Sequence, residues 1–456
     1  MASKITVNTN EIIGPVKPLN GIDNGPVCFG ELIDSTEFYK QAGFPYVRLH
    51  DTNYPHPREV DIPQIFPDFN ADADNPASYN FIHTDAYLQQ CLNTGASIIY
   101  RLGVSIEHPK IKYTVNPPQD FEKWSDICLH IIRHVNEGWA DGHQWNIRFW
   151  EIWNEPDLLN EDRSTDAMWS GTPDQYFQLY AITSRKLKKA FPELMIGGYA
   201  AAFASEKRKV FFQNFLDFVK KEQLPLDFFS WHRYADDPEA VAIEAGIAQD
   251  GLDHIGYKNT LSICDEWNYT PWRMAPERYP MTAGSQSAFV RGGLGYSATY
   301  AGASYDAAVI IRLQDTSTAV ATHYTGDPTN YYCTIFDRYG YPEKPYYSFV
   351  AFNEIIARRN RCRIDLEGCE EGLYVCAAAD HTGAALLATP FNHGDKTYKI
   401  DFKGLDSSQI YHVKKYLIDQ YHCYDLIEDQ KGYLADLTID TYLNTKATLL
   451  ITLLNL

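Results

Sequence analysis

The segment Arg148-Phe149-Trp150-Glu151-Ile152-Trp153-Asn154-Glu155-Pro156-Asp157 brings together groups that could do chemistry. An apolar run of strand length ends in a carboxamide, a carboxylate and a proline that cannot continue a hydrogen-bonded ladder. In a parallel barrel the C-terminal ends of the strands face the active site, which makes Glu155 a candidate for proton transfer. Other spacings lead nowhere. His130 and His134 are separated as a helical zinc pair would be, but no glutamate follows His130 and the two read as part of a solvated helix face, so no metal is expected. Asn268-Tyr269-Thr270 has only the form of a glycosylation site. No Gly-rich phosphate loop or nucleophile elbow occurs, and the nine cysteines include no CxxC pair, so they read as free thiols of a reducing compartment.

The elements that must position Glu155 follow from the pattern of apolar residues. Strand-length runs at Pro45–His50, Ala96–Gly103, Asn146–Trp153, Leu194–Tyr199, Leu226–His232, Asn259–Glu266 and Ala307–Leu313, with Gly21–Cys28 as a weaker eighth, alternate with helical segments. One helix is marked by Trp124, Ile127, Cys128, Ile131, Ile132 and Val135 on a single face. Another starts at the capping sequence Thr172-Pro173-Asp174-Gln175, a third covers Phe211 to Val219, and the last runs from Pro345 to Ala357. Eight such units predict an α/β fold, a (β/α)₈ TIM barrel over residues 15–358. After Arg358 the helical period gives way to short apolar segments, Leu373–Ala378, Ala384–Ala388, Tyr398–Phe402, Tyr411–Leu417, Leu437–Ile439 and Ala447–Leu453. They predict a smaller C-terminal antiparallel β-sandwich domain over 359–456, which a strand within residues 1–14 could join.

Composition sets the outer limits. With 45% hydrophobic and 22% charged residues the chain can bury a large core. A formal net charge of −19 repels nucleic acid and anionic membranes, so neither is an expected partner. No window reaches the roughly 18 apolar residues of a membrane span. Residues Met1 to Pro15 lack the basic stretch and apolar run of a secretion signal, so the expected location is cytoplasmic.

The ten residues around Glu155 resemble the acid/base motif of a large clan of retaining glycoside hydrolases built on (β/α)₈ barrels. That clan carries a second carboxylate at the end of the seventh strand, and Leu261-Ser262-Ile263-Cys264-Asp265-Glu266-Trp267-Asn268 supplies Glu266 there. Asp265 should point to the opposite side of the strand. The resemblance narrows to glycoside hydrolase family 39, known for β-xylosidases and α-L-iduronidases, and spans most of the chain. Similar segments are Asn20-Gly21-Ile22-Asp23-Asn24-Gly25-Pro26, Val47-Arg48-Leu49-His50-Asp51, Ile196-Gly197-Gly198, Asp227-Phe228-Phe229-Ser230-Trp231-His232-Arg233-Tyr234 and Tyr341-Pro342-Glu343-Lys344-Pro345.

The resemblance implies roles. Glu266 would be the nucleophile and Glu155 the acid/base, with burial and the charge of Glu266 raising the pKa of Glu155. Asn154 would bond the sugar 2-hydroxyl, His232 and Tyr234 would hold the nucleophile, and His50 would contact the sugar. Trp153, Trp231, Trp267 and Trp272 flank these motifs and could stack on sugars or belong to the core. Two positions depart from the family's xylosidases: Ile311 or Arg312 stands where their sugar-platform Trp is expected on the eighth strand, and Arg101 where their third strand has a glutamate. The implied enzyme is a retaining exo-glycosidase acting on an oligosaccharide or glycoside, β-xylosidase-like first, without a cofactor and with self-association left open. An α-L-arabinofuranosidase or arabinobiosidase-like enzyme and a non-catalytic carbohydrate-binding barrel are the alternatives.

Overall fold

The computed structural model describes residues 3–26, 28–29, 33–52, 58–107, 111–158, 168–205, 208–271, 297–328, 333–437 and 439–456. Trp272 lies outside them. Eight parallel strands, Gly21–Asp23, Tyr46–Leu49, Ser97–Leu102, Phe149–Ile152, Met195–Ala201, Phe228–Ala235, Leu261–Tyr269 and Thr318–His323, close a barrel in chain order, the eighth pairing with the first. Covered by helices outside and side chains inside, these strands are apolar on both faces. Alternation assigns the faces: on the fourth strand Trp150 and Ile152 pack outward into the main core, while Phe149 points inward. Phe149, Tyr46, Ile99, Met195, Phe228, Leu261, Ile263 and Val320 together form an apolar plug inside the barrel.

The eighth strand is not the one expected. Ala307–Leu313 lies in a helix, Tyr300–Leu313, and the strand is Thr318–His323. The helix is buried from Ala301 to Ile311 because it sits between the barrel and the C-terminal sheet, with Ser304 bonded to Thr389 at 2.6 Å. A helix covered on all sides loses its polar face, and its short apolar run then matches a buried strand. His130 and His134 are also buried rather than solvated. The rings of Tyr79, Phe81 and Trp139, from the segments before and after, cover that helix face.

Cys28–Phe29 and Ile33–Asp34 pair with each other as a two-stranded ribbon, and the other described strands form one nine-stranded sheet. Ser3–Pro15 is inserted between Asn360–Glu367, antiparallel, and Lys396–Lys403, parallel, the latter being the sheet's one parallel pairing among the described residues. The sheet curls around a core of its own, with Ile5, Val7, Ala377, Leu386, Ile400 and Ile451 inside, so the layers expected as a sandwich belong to one hydrogen-bonded sheet. Its other face offers Cys376, Ala378, Ala385, Leu387 and Leu450 to the barrel helices. Of the expected strand Leu437–Ile439, residue 438 lies outside the described residues and Leu437 and Ile439 belong to no strand; a 3₁₀ turn at Leu434–Asp436 precedes strand Thr441–Leu443. Among the described residues no helix is long and apolar enough to cross a membrane.

Candidate active site

Above the plug the inward positions become ionisable. Arg48 of the second strand, fully buried, donates from Nε and Nη2 to Glu151 of the fourth at 2.9 and 2.7 Å. Its Nη1 reaches Asp23 at 3.2 Å and Glu266 at 2.9 Å, its Nε lies 3.2 Å from Asp265, and its Nη2 donates to the Asn154 carbonyl at 2.6 Å. One guanidinium thus ties the ends of the first, second, fourth and seventh strands. Four buried carboxylates around one cation cannot all ionise cheaply. Burial pushes Asp23 and Glu151 well above the usual carboxylate range. For Asp265 the attraction of Arg48, with Glu151 and His232 close by, outweighs burial and holds it below that range. Of this neighbouring pair Asp265 is the more readily ionised.

Asp265 points into the barrel, against expectation. A register shift between Cys264 and Glu266 on the pairing with the sixth strand breaks the alternation, so consecutive carboxylates share the inner face. The bulge lifts Glu266 toward the mouth. There its Oε2 accepts from the Tyr234 hydroxyl at 2.8 Å. Burial raises the pKa of Glu266 while His232 and Arg48 oppose it.

Glu155 follows the fourth strand and is not fully buried. Trp153 and Glu155 adopt φ of 74° and 44°, a left-handed backbone that non-glycine residues avoid and that is held here by Trp153 N–H donating to Leu102 and Glu155 N–H donating to Ala200. This turn carries the carboxylate over the barrel axis. Nδ1 of His232 lies 2.8 Å from Glu155 and 3.4 Å from Glu266, so the imidazole faces the first more closely than the expected nucleophile. One ligand atom from each of Glu155, His232 and Glu266 lies within 4.8 Å of the others. Although burial alone would lower it, the charge of Glu266 and bonds to Asp265 and Glu155 raise the His232 pKa well above its ordinary value, so the ring is an imidazolium at neutral pH.

Because Arg48 occupies the Asn154 carbonyl, the Asn154 amide is left as the donating end. Nδ1 of His50 accepts from Arg101 Nε at 3.2 Å, which puts the proton on Nε2, 3.2 Å from Asp51 and 4.0 Å from Glu266. Burial, with Arg101 and Arg48 nearby, pushes the His50 pKa well down, so this ring is neutral. Arg101 itself bonds Asp61 at 2.6 Å. It serves to orient His50.

All six expected site residues meet at one end of the barrel. Trp153, Trp231 and Trp267 are core, facing Trp169, bonding Ser262 and covering His323 respectively. Ile311 faces away on its helix, and the residue after the true eighth strand is an aromatic, Tyr324, whose ring is 6.4 Å from that of Tyr234 and whose hydroxyl is 3.4 Å from Asp51. Arg48, Glu151 and Asp23 were not singled out from sequence. The available signal was an ionisable residue inside an apolar strand, as in Val47-Arg48-Leu49 and Trp150-Glu151-Ile152.

Comparison with known proteins gives a consistent picture. The family described as glycosyl hydrolases family 39 matches residues 34–250. β-Xylosidases from Caldicellulosiruptor saccharolyticus and Geobacillus stearothermophilus are each 28% identical over 207 and 209 residues, 43% of this chain in both cases. Those matches span 38% and 37% of the two relatives, so the chain covers well under half of their length. A solved glucosidase from Croceicoccus marinus has a TM-score of 0.79 at 23% identity over 100% of both chains. A monomeric β-xylosidase from Caulobacter crescentus has a TM-score of 0.70 at 16% identity over 99% of each. At such identities the structural likeness establishes the fold.

Proposed function

We propose that the chain, whose residues 34–250 match glycosyl hydrolases family 39, is a retaining glycoside hydrolase that removes terminal sugars from oligosaccharides or glycosides, with β-xylosides the first substrate class. The observation that carries this reading is the pair Glu155 and Glu266, whose nearest oxygens lie within 4.8 Å across the barrel mouth. Double displacement needs two carboxyl groups about 5 to 5.5 Å apart.

In the first step Glu266 attacks the anomeric carbon and Glu155 gives its proton to the departing oxygen. Tyr234 and Arg48 hold Glu266 from two directions and favour its charged form. The His232 imidazolium donates to Oε1 of Glu155, which leaves the acidic proton on Oε2. In the second step Glu155, now ionised, takes a proton from water as that water displaces Glu266 from the sugar. The Asn154 amide donates to the 2-hydroxyl, His50 lines the pocket, and Tyr324 takes the part of the aromatic platform.

Residues 15–358 form the catalytic barrel in this reading and 359–456 an accessory domain that backs helix Tyr300–Leu313. A reducing, cytoplasmic setting fits the eight free cysteines among the described residues. The test is a panel of aryl glycosides including β-xyloside, β-glucoside and α-L-arabinofuranoside, with the first-formed anomer read by NMR. Turnover of the β-xyloside with retention supports the proposal, preference for the arabinofuranoside replaces the substrate class, and inversion or no turnover of any sugar defeats it.

A further inference from the structure

A second cluster of side chains lies outside the barrel mouth and is not needed for glycoside cleavage. Asp85 comes from helix Ile82–Asn93, His134 from the last turn of helix Phe121–Glu137, and His143 from the loop that follows it. One ligand atom of each lies within 4.8 Å of the other two. We propose that these three residues bind one divalent transition-metal ion of the zinc class, fastening the two helices and the loop together.

Both ring nitrogens of His134 have partners. Its Nδ1 is 2.9 Å from the carbonyl oxygen of Trp139, a contact that is favourable only if Nδ1 carries the proton and donates. Nε2 is the ring atom left to face the cluster, 3.0 Å from Asp85 Oδ1 and 3.2 Å from Oδ2. Nε2 of His143 lies 3.2 Å from Asp85 Oδ2, yet this buried atom makes no well-aligned hydrogen bond among the described residues. Two imidazole nitrogens and a carboxylate thus converge on one point, the donor set that a single cation can join. Ligand atoms about 3.3 Å apart are what a tetrahedral ion with bonds of about 2.0 Å requires. A ligating imidazole that donates its other N–H to a backbone carbonyl is the usual second contact of such a site.

The cluster is held in advance by its surroundings. His143 N–H donates to the His134 carbonyl at 2.6 Å, Trp145 N–H to Val135 at 3.0 Å, and the Asn136 side chain exchanges two bonds with Ile147 at 2.9 and 2.8 Å. A side chain at Gly142 would bring its Cβ to 2.1 Å from the His134 carbonyl, so the loop can close on the helix only with glycine there. Phe81 stacks on His134 at 3.5 Å and Trp145 on His143 at 3.7 Å, fixing both ring planes. The side chains of Asp85 and His143 keep 26% and 33% of their exposure, which gives an ion a way in and leaves room for a water as fourth ligand. Two imidazoles and one carboxylate suit Zn²⁺ or Co²⁺, whereas Mg²⁺ and Ca²⁺ prefer oxygen alone.

The test uses the full chain, stripped with a chelator and titrated with Zn²⁺, with stoichiometry read by calorimetry and stability by thermal unfolding. The wild type should take up one equivalent and unfold several degrees higher, and Co²⁺ should give the intense visible absorption of a tetrahedral site. His143→Ala and Asp85→Asn should lose both the equivalent and the thermal shift while keeping the wild-type circular dichroism. Glu155→Gln should retain them, which separates this cluster from the carboxylates at the barrel mouth. The proposal is overturned if wild type binds no Zn²⁺, if binding survives both His143→Ala and Asp85→Asn, or if it disappears in Glu155→Gln alone. An ordinary imidazolium–carboxylate pair would give the first of these results.

Discussion

The hydroxyl of Tyr234 donates to Oε2 of Glu266 at 2.8 Å, from the sixth barrel strand to the seventh. A bond of this kind stabilises the ionised carboxylate and so opposes the burial that raises the Glu266 pKa. Removing it in Tyr234→Phe should raise that pKa further. Since the nucleophile must be ionised, the acidic limb of the kcat/KM profile should move to higher pH, by about one unit for a bond to a charged group worth about 1.5 kcal/mol. An unmoved acidic limb in an active variant would detach Tyr234 from the nucleophile.

Glu155→Ala separates the two chemical steps. Good leaving groups need little protonation, so their glycosides should still load the enzyme and then hydrolyse slowly, while poor leaving groups should barely react. Azide should accelerate the stalled second step. Equal losses for both leaving-group classes, with no azide effect, would remove Glu155 from its role.

Asp157, two residues beyond Glu155, supports the same turn by accepting from Ala202 N–H at 3.0 Å, and burial pushes its pKa up to about 7. The folded form therefore holds a proton that the unfolded chain releases near pH 4. The sign follows: the native state binds more protons between about pH 4 and 7, so stability falls as pH rises through that window, by up to ~4 kcal/mol for this group. Asp157→Asn has no such proton. Its unfolding free energy relative to wild type should improve from pH 4 to 8, and a constant difference across that range would show that Asp157 is not the group responsible.

Ile311 is not on the eighth strand, as the sequence suggested, and Tyr324 is the residue that follows that strand. Ile311 is 6% exposed on a helix pressed between barrel and sheet, so Ile311→Trp should overpack the contact and cost about 1 to 3 kcal/mol without altering KM in the folded fraction. Tyr324→Ala should lose sugar stacking on the order of 1 kcal/mol, about a fivefold rise in KM. The reverse pattern would return the platform to the helix.

These misplacements show where sequence legibility ends. Seven barrel strands and the capping box at Thr172 and Gln175 were readable because their signals are local: apolar runs bounded by turns, and a cap that satisfies its own helix. Helix Tyr300–Leu313 was not, because its apolarity comes from the sheet that covers it, a contact made by residues far along the chain. Strand Cys423–Tyr433 was missed for the opposite reason, since it lies at the sheet edge and carries mostly polar, exposed positions. Glu155 and Glu266 could be found from their motifs. The inward turn of Asp265 could not, for it depends on one register shift against the neighbouring strand. Arg48 was visible in the sequence, but its four carboxylate partners come from three other strands.

The central claim is that Glu266 forms the covalent bond to the sugar. The most direct measurement uses the 2-deoxy-2-fluoro analogue, with a good leaving group, of whichever glycoside the enzyme turns over, because the fluorine slows hydrolysis of the intermediate and lets it accumulate. Peptide mapping by mass spectrometry should find one fluorosugar on the peptide containing Glu266, with fragmentation placing it on that residue and not on Asp265. Attachment to Asp265, Glu151 or Glu155, or full inactivation with no covalent label, would contradict the account.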